Sequence, residues 1–200
     1  MLAASAQRIV QSLGADDLVL DVGGGWEPFP RADWVLDLLE HRPGSRATPD
    51  TWVRRDICDR EPWPFADDQF DFAICSHTLE DVRDPVGVCA ELSRVARRGY
   101  VEVPSRLMEQ AFGIQGPWVG YGHHHWLVEP VGPAELQFVF KSHVLNGQPL
   151  FQLTAEDYWA APEEARVHAI FWEGEIRAVE RIFIGHEEHD AYVMSIKDRR

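Results

Sequence analysis

The residues best able to do chemistry fall in order along the first half of the chain. Asp21 closes an apolar run, Leu18-Val19-Leu20-Asp21-Val22, and Gly23-Gly24-Gly25 follows it. A buried strand that ends in an acid and then glycines lets a ligand approach the backbone closely, with a carboxylate beside it. Asp37 lies inside the next apolar run, Trp34 to Leu39. A carboxylate at the end of a second strand can accept hydrogens from both hydroxyls of a ribose. Asp56-Ile57 offers a third acid, able to accept an adenine amino proton, beside an apolar side chain able to pack on the ring. The fourth segment reads Phe70-Asp71-Phe72-Ala73-Ile74-Cys75-Ser76-His77-Thr78-Leu79-Glu80-Asp81-Val82, then Asp84-Pro85. There a strand runs into a polar loop at the carboxyl edge of a sheet, where ligands bind in doubly wound folds.

A second group is Gly116-Pro117-Trp118-Val119-Gly120-Tyr121-Gly122-His123-His124-His125-Trp126. It follows the fifth strand and is placed to shape an acceptor pocket. A His or Tyr here can act as a general base. If the segment is extended, His123 and His125 share a face and could hold a metal, given further ligands such as Glu129 or His143. No signature spacing supports such a set, and hydrogen-bonded structural histidines are the alternative.

The elements that must position these residues follow from apolar period and punctuation. Residues 3–14 read as a helix closed by Gly14; 17–22, 34–39, 53–57, 70–76 and 100–103 read as strands. Asp84 caps a helix with Pro85 in its first turn, Val86, Val88, Cys89, Leu92, Val95 and Ala96 forming the apolar face. Arg94, Arg97 and Arg98 suit its C-terminal end and Gly99 is expected to stop it. Only Gly23 to Asp33, with Pro28 and Pro30, is available for the first crossover. A parallel crossover normally takes a dozen residues or more, so a loop with at most one helical turn is expected. After residue 126 the pattern predicts antiparallel strands at 137–141, 150–153, 167–172, 177–184 and 191–196. Glu173-Gly174-Glu175 reads as a hairpin turn, and 162–165 as a short helical interruption. The fold class is α/β: a Rossmann-like, mainly parallel sheet with helices on both faces and a β-rich C-terminal extension. Residues 1–200 are expected to form one domain, with 15–105 as the ligand-binding core and 106–200 covering the acceptor site.

Composition bounds the function. The chain has 200 residues, 45% hydrophobic and 26% charged, enough to build a core and against global disorder. Nineteen basic against 33 acidic residues give a net charge of −14, which argues against non-specific nucleic-acid binding. No apolar run reaches a membrane span, and Met1 to Val10 lacks the apolar stretch of a secretory signal. The expectation is a cytoplasmic protein with a small-molecule partner, no nucleic acid and no membrane; the oligomeric state is open, since an exposed tail strand could pair with another chain. Three cysteines, Cys58, Cys75 and Cys89, without Cys-x-x-Cys spacing exclude a full disulfide framework and the common zinc ribbons. Cys75 and Cys89 read as buried small hydrophobes; a Cys75 thiol activated by His77 is the alternative.

Together the four ordered segments resemble the class I S-adenosylmethionine-dependent methyltransferases, in particular the small-molecule, type 11-like branch. The resemblance spans about residues 15–105, and the Cys75-Ser76-His77-Thr78-Leu79-Glu80-Asp81-Val82 stretch is its most specific part. Pro104-Ser105-Arg106-Leu107, Glu109-Gln110 and the His-His-Trp-Leu stretch are also similar to segments of bacterial methyltransferase-like proteins. The resemblance implies S-adenosylmethionine as cofactor and methyl transfer to a small-molecule acceptor, such as a hydroxyl of a metabolite or sugar-containing intermediate. It implies that Asp21, Gly23 and Gly25 line the methionine part and Asp37 holds the ribose. Leu38, Asp56 and Ile57 would contact the adenine; Cys75, Ser76 and His77 would wall the transfer site. His77, His123, His124 and His125 are the candidate proton acceptors. The short first crossover departs from the family, as does Asp81, where members often have His. These departures keep open a non-catalytic binding or regulatory protein on the same fold, or a metal-dependent enzyme centred on the histidine run. A nicotinamide dinucleotide is disfavoured, because Pro28 stands where a third small residue would be needed and the phosphate-binding helix is missing.

Overall fold

The computed structural model describes residues 1–199. Helix α1 (Ala3–Ser12) buries Ile9 and leads into β1 (Val19–Val22), buried at every position. β2 (Trp34–Asp37), β3 (Trp52–Arg54) and β4 (Phe72–Ser76) follow. Helix α2 (Pro85–Val95) starts where the sequence places it, since the Asp84 side chain accepts the Gly87 N–H at 2.9 Å. β5 (Arg98–Pro104) completes the first half.

The second half is built from short pieces: α3 (Arg106–Glu109), β6 (Ala111–Phe112), β7 (Trp126–Gly132), β8 (Glu135–Phe140), α4 (Val144–Gly147) and β9 (Leu153–Thr154). Then come α5 (Ala155–Ala160), α6 (Glu163–Arg166), β10 (Val167–Glu173), β11 (Arg177–Glu180) and α7 (His186–Met194). Among the described residues no helix is long and apolar enough to cross a membrane.

The main sheet has the order β10-β5-β4-β1-β2-β3, parallel throughout except for β10, which pairs antiparallel with β5. The fold is therefore Rossmann-like α/β. The chain leaves β1 towards β2 and β3, then returns to place β4 on the other side of β1. That reversal leaves a crevice at the carboxyl ends of β1 and β4, where ligands bind in open α/β sheets. On one face α2 packs Val88, Leu92 and Val95 against Leu20, Val22, Ala73, Cys75 and Val101. On the other, Ile9 of α1 meets Val19, Val35, Phe72, Ile74 and Tyr100. The β1–β2 crossover carries no helix, as expected. Phe29 and Ala32 of the crossover, with Ala47, fill the core on that face.

Several expectations are corrected. α2 ends at Val95, not at Gly99: Ala96 turns extended, and Arg97 and Arg98 pair with Asp71 and Asp17 instead of the helix end. Gly99 lies inside β5, where an added Cβ would sit 2.4 Å from the Ala73 carbonyl and 2.6 Å from the Trp172 ring. The third strand covers 52–54, because Arg55 and Asp56 turn away after pairing with β2 ends. β7 had no sequence counterpart, and it forms a hairpin with β8. Of residues 150–153, Leu150 and Phe151 close a 3-10 turn, Pro149–Phe151, and only Leu153 is in a strand. The strand expected at 191–196 is the end of α7 followed by the start of a 3-10 turn at Ser195. Gly174 does not join a hairpin: β10 belongs to the main sheet, whereas β11 runs parallel to β8 in a second sheet.

Candidate functional site

A cleft of about 630 Å³ opens at the switch point, lined by Asp21, Gly23, Gly24, the crossover residues Trp26 to Pro30, Ile74, Ser76, His77 and Met1. Its size suits a small organic molecule. Asp21 is 3% exposed and accepts the Phe29 N–H at 2.7 Å. Burial raises its pKa to about 7, against the lowering pull of that hydrogen bond and with a further push from the charge of Asp37. Gly23 has φ +79° and packs on Thr78, so a side chain there would collide.

The remaining expected residues divide. Gly25 is turned towards Asp37, giving its N–H to Oδ2 at 2.9 Å, while Leu39 N–H reaches Oδ1 at 2.7 Å. Asp37 is buried and does not line the cleft. Leu38 is exposed. Asp56 is held by Arg83 at 2.6 Å and accepts the Cys58 N–H, and the Arg83 hydrogen bond lowers its pKa. Ile57 is buried in the core, its carbonyl taking the Trp63 indole N–H. Cys75 faces α2, away from the cleft, because side chains alternate along β4. Burial pushes its thiol well above the ordinary range, which leaves it inert.

His77 is the junction of the site. It adopts φ +53°, a backbone conformation rare for a non-glycine residue. Its Nε2 lies 3.0 Å from Glu102 Oε1 and its Nδ1 3.4 Å from Glu80 Oε1. Burial favours the neutral ring, but the hydrogen bond to Glu102 and the nearby Glu80 carboxylate outweigh it and raise the pKa to about 9. Glu102 is driven the other way, to about 2: burial opposes this, but His77, the Leu2 N–H and the Tyr100 hydroxyl stabilise its charge. His77 also borders a second cavity of about 270 Å³, lined by Glu80, Asp81, Met108, Tyr121, His123 and His124.

The histidine run is not extended. His124 N–H bonds back to the Tyr121 carbonyl, so His123 and His124 turn together towards Asp81. His125 lies outside the cavity, its backbone tied to Glu80 and Lys141. The expected sharing of a face by His123 and His125 is thus corrected. Glu129 pairs instead with Arg106, and His143 sits at the start of α4. Sequence reasoning missed Glu102 and Glu109, both buried. A lone acid inside Tyr100-Val101-Glu102-Val103 was the available signal. Glu109 stood out only through the similarity of its segment, with no role attached: it acts through His124, at 2.5 Å, and Lys141, at 2.6 Å. The Ser105-Arg106 and Gln110 positions have a structural role. Arg106, 2% exposed, donates to the carbonyls of Tyr192 and Val193 near the end of α7, joined there by Gln110.

Residues 38–101 match the family described as "Methyltransferase domain". The middle of the chain is methyltransferase-like. No curated protein matches. Among solved structures, an S-adenosylmethionine-dependent methyltransferase from Mesorhizobium loti is 20% identical, covering 55% of this chain and 58% of that one, with TM-score 0.39. A Haloferax volcanii chain solved with the Trm112 methyltransferase activator is 21% identical over 50% of this chain and 51% of its own, TM-score 0.36. A proposed methyltransferase from Bacillus halodurans is 15% identical, covering 84% and 95%, TM-score 0.41. The chain thus spans about half the length of the first two.

The family match supports S-adenosylmethionine as the cofactor. The chemistry of the cleft suits the methionine end of that molecule, because a buried carboxylate such as Asp21 is relieved by a cation, and that end carries a positive sulfur and an amino group. Asp37 keeps spare acceptor sites, since each oxygen accepts one backbone N–H and a carboxylate offers about four, but it lies outside the cleft.

Proposed function

We propose that the chain transfers a methyl group from S-adenosylmethionine to a small-molecule acceptor bound beside His77. The carrying observation is that Asp21, Gly23, Ser76 and His77 meet in one cleft at the switch point, next to a second cavity that His77 also lines. In this reading Asp21 and Gly23 hold the methionine end, Asp37 takes the ribose once the Gly25 turn moves, and the adenine lies towards Leu38 and Asp56, with Ile57 left in the core. When bound, the cofactor supplies a methyl carbon on a positively charged sulfur, open to in-line attack. The chain's own residues orient the acceptor and exclude water. With its pKa raised to about 9 and both ring nitrogens facing Glu102 and Glu80, His77 does not take the acceptor's proton; it lends positive charge to the cavity wall. The net charge of −14 supports a small acceptor over a nucleic acid.

Asp37 favours a second reading, a non-catalytic binding protein, because both its oxygens are taken up by Gly25 and Leu39 and the cleft does not reach it. Calorimetric titration with S-adenosylmethionine and S-adenosylhomocysteine separates the two. Micromolar binding of either, weakened by Asp37→Ala without loss of the folded state, supports methyl transfer. No binding at millimolar ligand leaves the non-catalytic reading.

A further inference from the structure

Three side chains converge on the wall of the second cavity. Asp81 Oδ1 lies 3.8 Å from His123 Nε2 and 3.8 Å from His124 Nε2, and one donor atom from each of the three falls within 4.8 Å of the others. At 3.8 Å neither histidine is hydrogen-bonded to Asp81. A tetrahedral zinc with nitrogen and oxygen donors at about 2.0–2.1 Å would separate them by roughly 3.3 Å. The set is therefore open by roughly half an ångström at Asp81. His123 is 60% exposed and packs only edge-on against the Tyr121 and His124 rings, so a rotation of its ring can close that gap.

We propose that Asp81, His123 and His124 bind a divalent transition-metal ion, with zinc best suited to their donors, and that its remaining coordination position opens on the cavity shared with His77. Independent observations point the same way. Asp81 Oδ1 is buried and accepts no hydrogen bond. Glu80 lines the same cavity, is fully buried, and neither of its oxygens accepts a hydrogen bond; His77 Nδ1, 3.4 Å away, is its ion-pair partner. Buried acceptors left in that state are costly, and a cation among them removes the cost. Glu109 stands behind His124, 2.5 Å from Nδ1, and is itself fixed by Lys141. A carboxylate on the far ring nitrogen places the proton on Nδ1 and turns the Nε2 lone pair forward, the orientation that metal-bound histidines use. A ring in an ordinary His–Asp pair would instead direct an N–H to Asp81 at hydrogen-bond distance.

A two-histidine, one-carboxylate set suits zinc, or iron(II) with open positions. The ligand it would recognise is a molecule with a hydroxyl or carboxylate oxygen that can reach the open position. An ion there lowers the proton affinity of a bound hydroxyl. That last role rests on the methyl-transfer reading; the metal site itself does not.

The test is zinc titration of the full chain after chelator stripping, followed by cobalt(II) substitution and visible absorption. One ion per chain at micromolar affinity or tighter is expected, with the absorption of a low-coordinate cobalt site. Asp81→Asn and His123→Ala should each weaken binding at least tenfold while the metal-free melting temperature stays near that of the parent. His123 is exposed, so its loss has little effect on folding. His125→Ala should leave affinity unchanged, whereas pairing of His123 with His125 would require a loss. Absence of stoichiometric zinc, or affinities of Asp81→Asn and His123→Ala within twofold of the parent, overturns the proposal. Binding of S-adenosylmethionine is measured without metal, so failure of either reading leaves the other standing.

Discussion

Asp21→Asn should make the protein more stable and less able to bind a cationic ligand. Asp21 is buried at the end of β1, and its pKa rises from the ordinary 3.8 to about 7. The folded chain therefore holds this proton more tightly than the unfolded chain does. Between those two values the folded state carries more protons, so stability falls as pH rises, and the full cost is present above about pH 7. At about 1.36 kcal/mol for each tenfold difference in proton affinity, that cost is roughly 4 kcal/mol by pH 8 and roughly 1.5 kcal/mol at pH 5. Asparagine stays neutral throughout, and its carboxamide oxygen can still accept the Phe29 N–H. Urea unfolding of both proteins from pH 5 to pH 8 measures the gap directly. The variant should gain on the parent as pH rises. At roughly 2–4 °C per kcal/mol for a chain of this length, the gain should reach about 8–16 °C in melting temperature at pH 8. A gap that does not change with pH would refute the claim that Asp21 is a destabilising carboxylate.

The same residue links stability to binding. A ligand that brings positive charge to the cleft favours the ionised carboxylate, so binding near pH 6 should release a proton. Titration in buffers of different ionisation enthalpy reads that release, and Asp21→Asn should abolish it while weakening the affinity. Equal affinity for parent and variant would place the cation elsewhere.

Two other substitutions test the framework around the site. Gly99→Ala puts a methyl group 2.4 Å from the Ala73 carbonyl and against Trp172; it should cost about 1–3 kcal/mol or more by overpacking, read by denaturant unfolding. Arg106→Met keeps the length but removes the donors to Tyr192 and Val193; it should cost about 3–5 kcal/mol and expose α7 to limited proteolysis ahead of the sheet.

The half of the chain that forms the sheet was legible because its signals are local. Asp84-Pro85 caps a helix wherever it stands before an apolar face, and the run from Leu18 to Gly25 reads as a buried strand and a tight turn. Eleven residues between β1 and β2 left no room for a helix. The tail was not legible because its order comes from distant partners. α7 is held by Arg106, more than eighty residues away in sequence, and the Ala191–Ile196 stretch alone reads equally well as a strand. The histidine run failed for a different reason. Its residue types pointed to a site, but a turn at Tyr121 decides which two face inward, and no period reveals that turn. Gly99 misled as a helix stop because glycine also serves close packing, and the Trp172 ring that demands it comes from β10.

The short crossover links these findings. In place of a helix, residues 23–33 send Phe29 and Ala32 into the core, give the Phe29 N–H to Asp21 and the Gly25 N–H to Asp37. One segment thus covers the sheet and occupies both carboxylates that a nucleoside-bearing cofactor would use. Asp21 still faces the cleft, so the methionine end can enter with the loop in place. Asp37 does not, so a ribose reaches it only when the Gly25 turn lifts. Lifting that turn exchanges a hydrogen bond to a charged acceptor, worth about 1.5–3 kcal/mol, for those the ribose hydroxyls would make. On the methyl-transfer reading, affinity for the whole cofactor would then turn on how much core packing at Phe29 and Ala32 is disturbed to free Gly25.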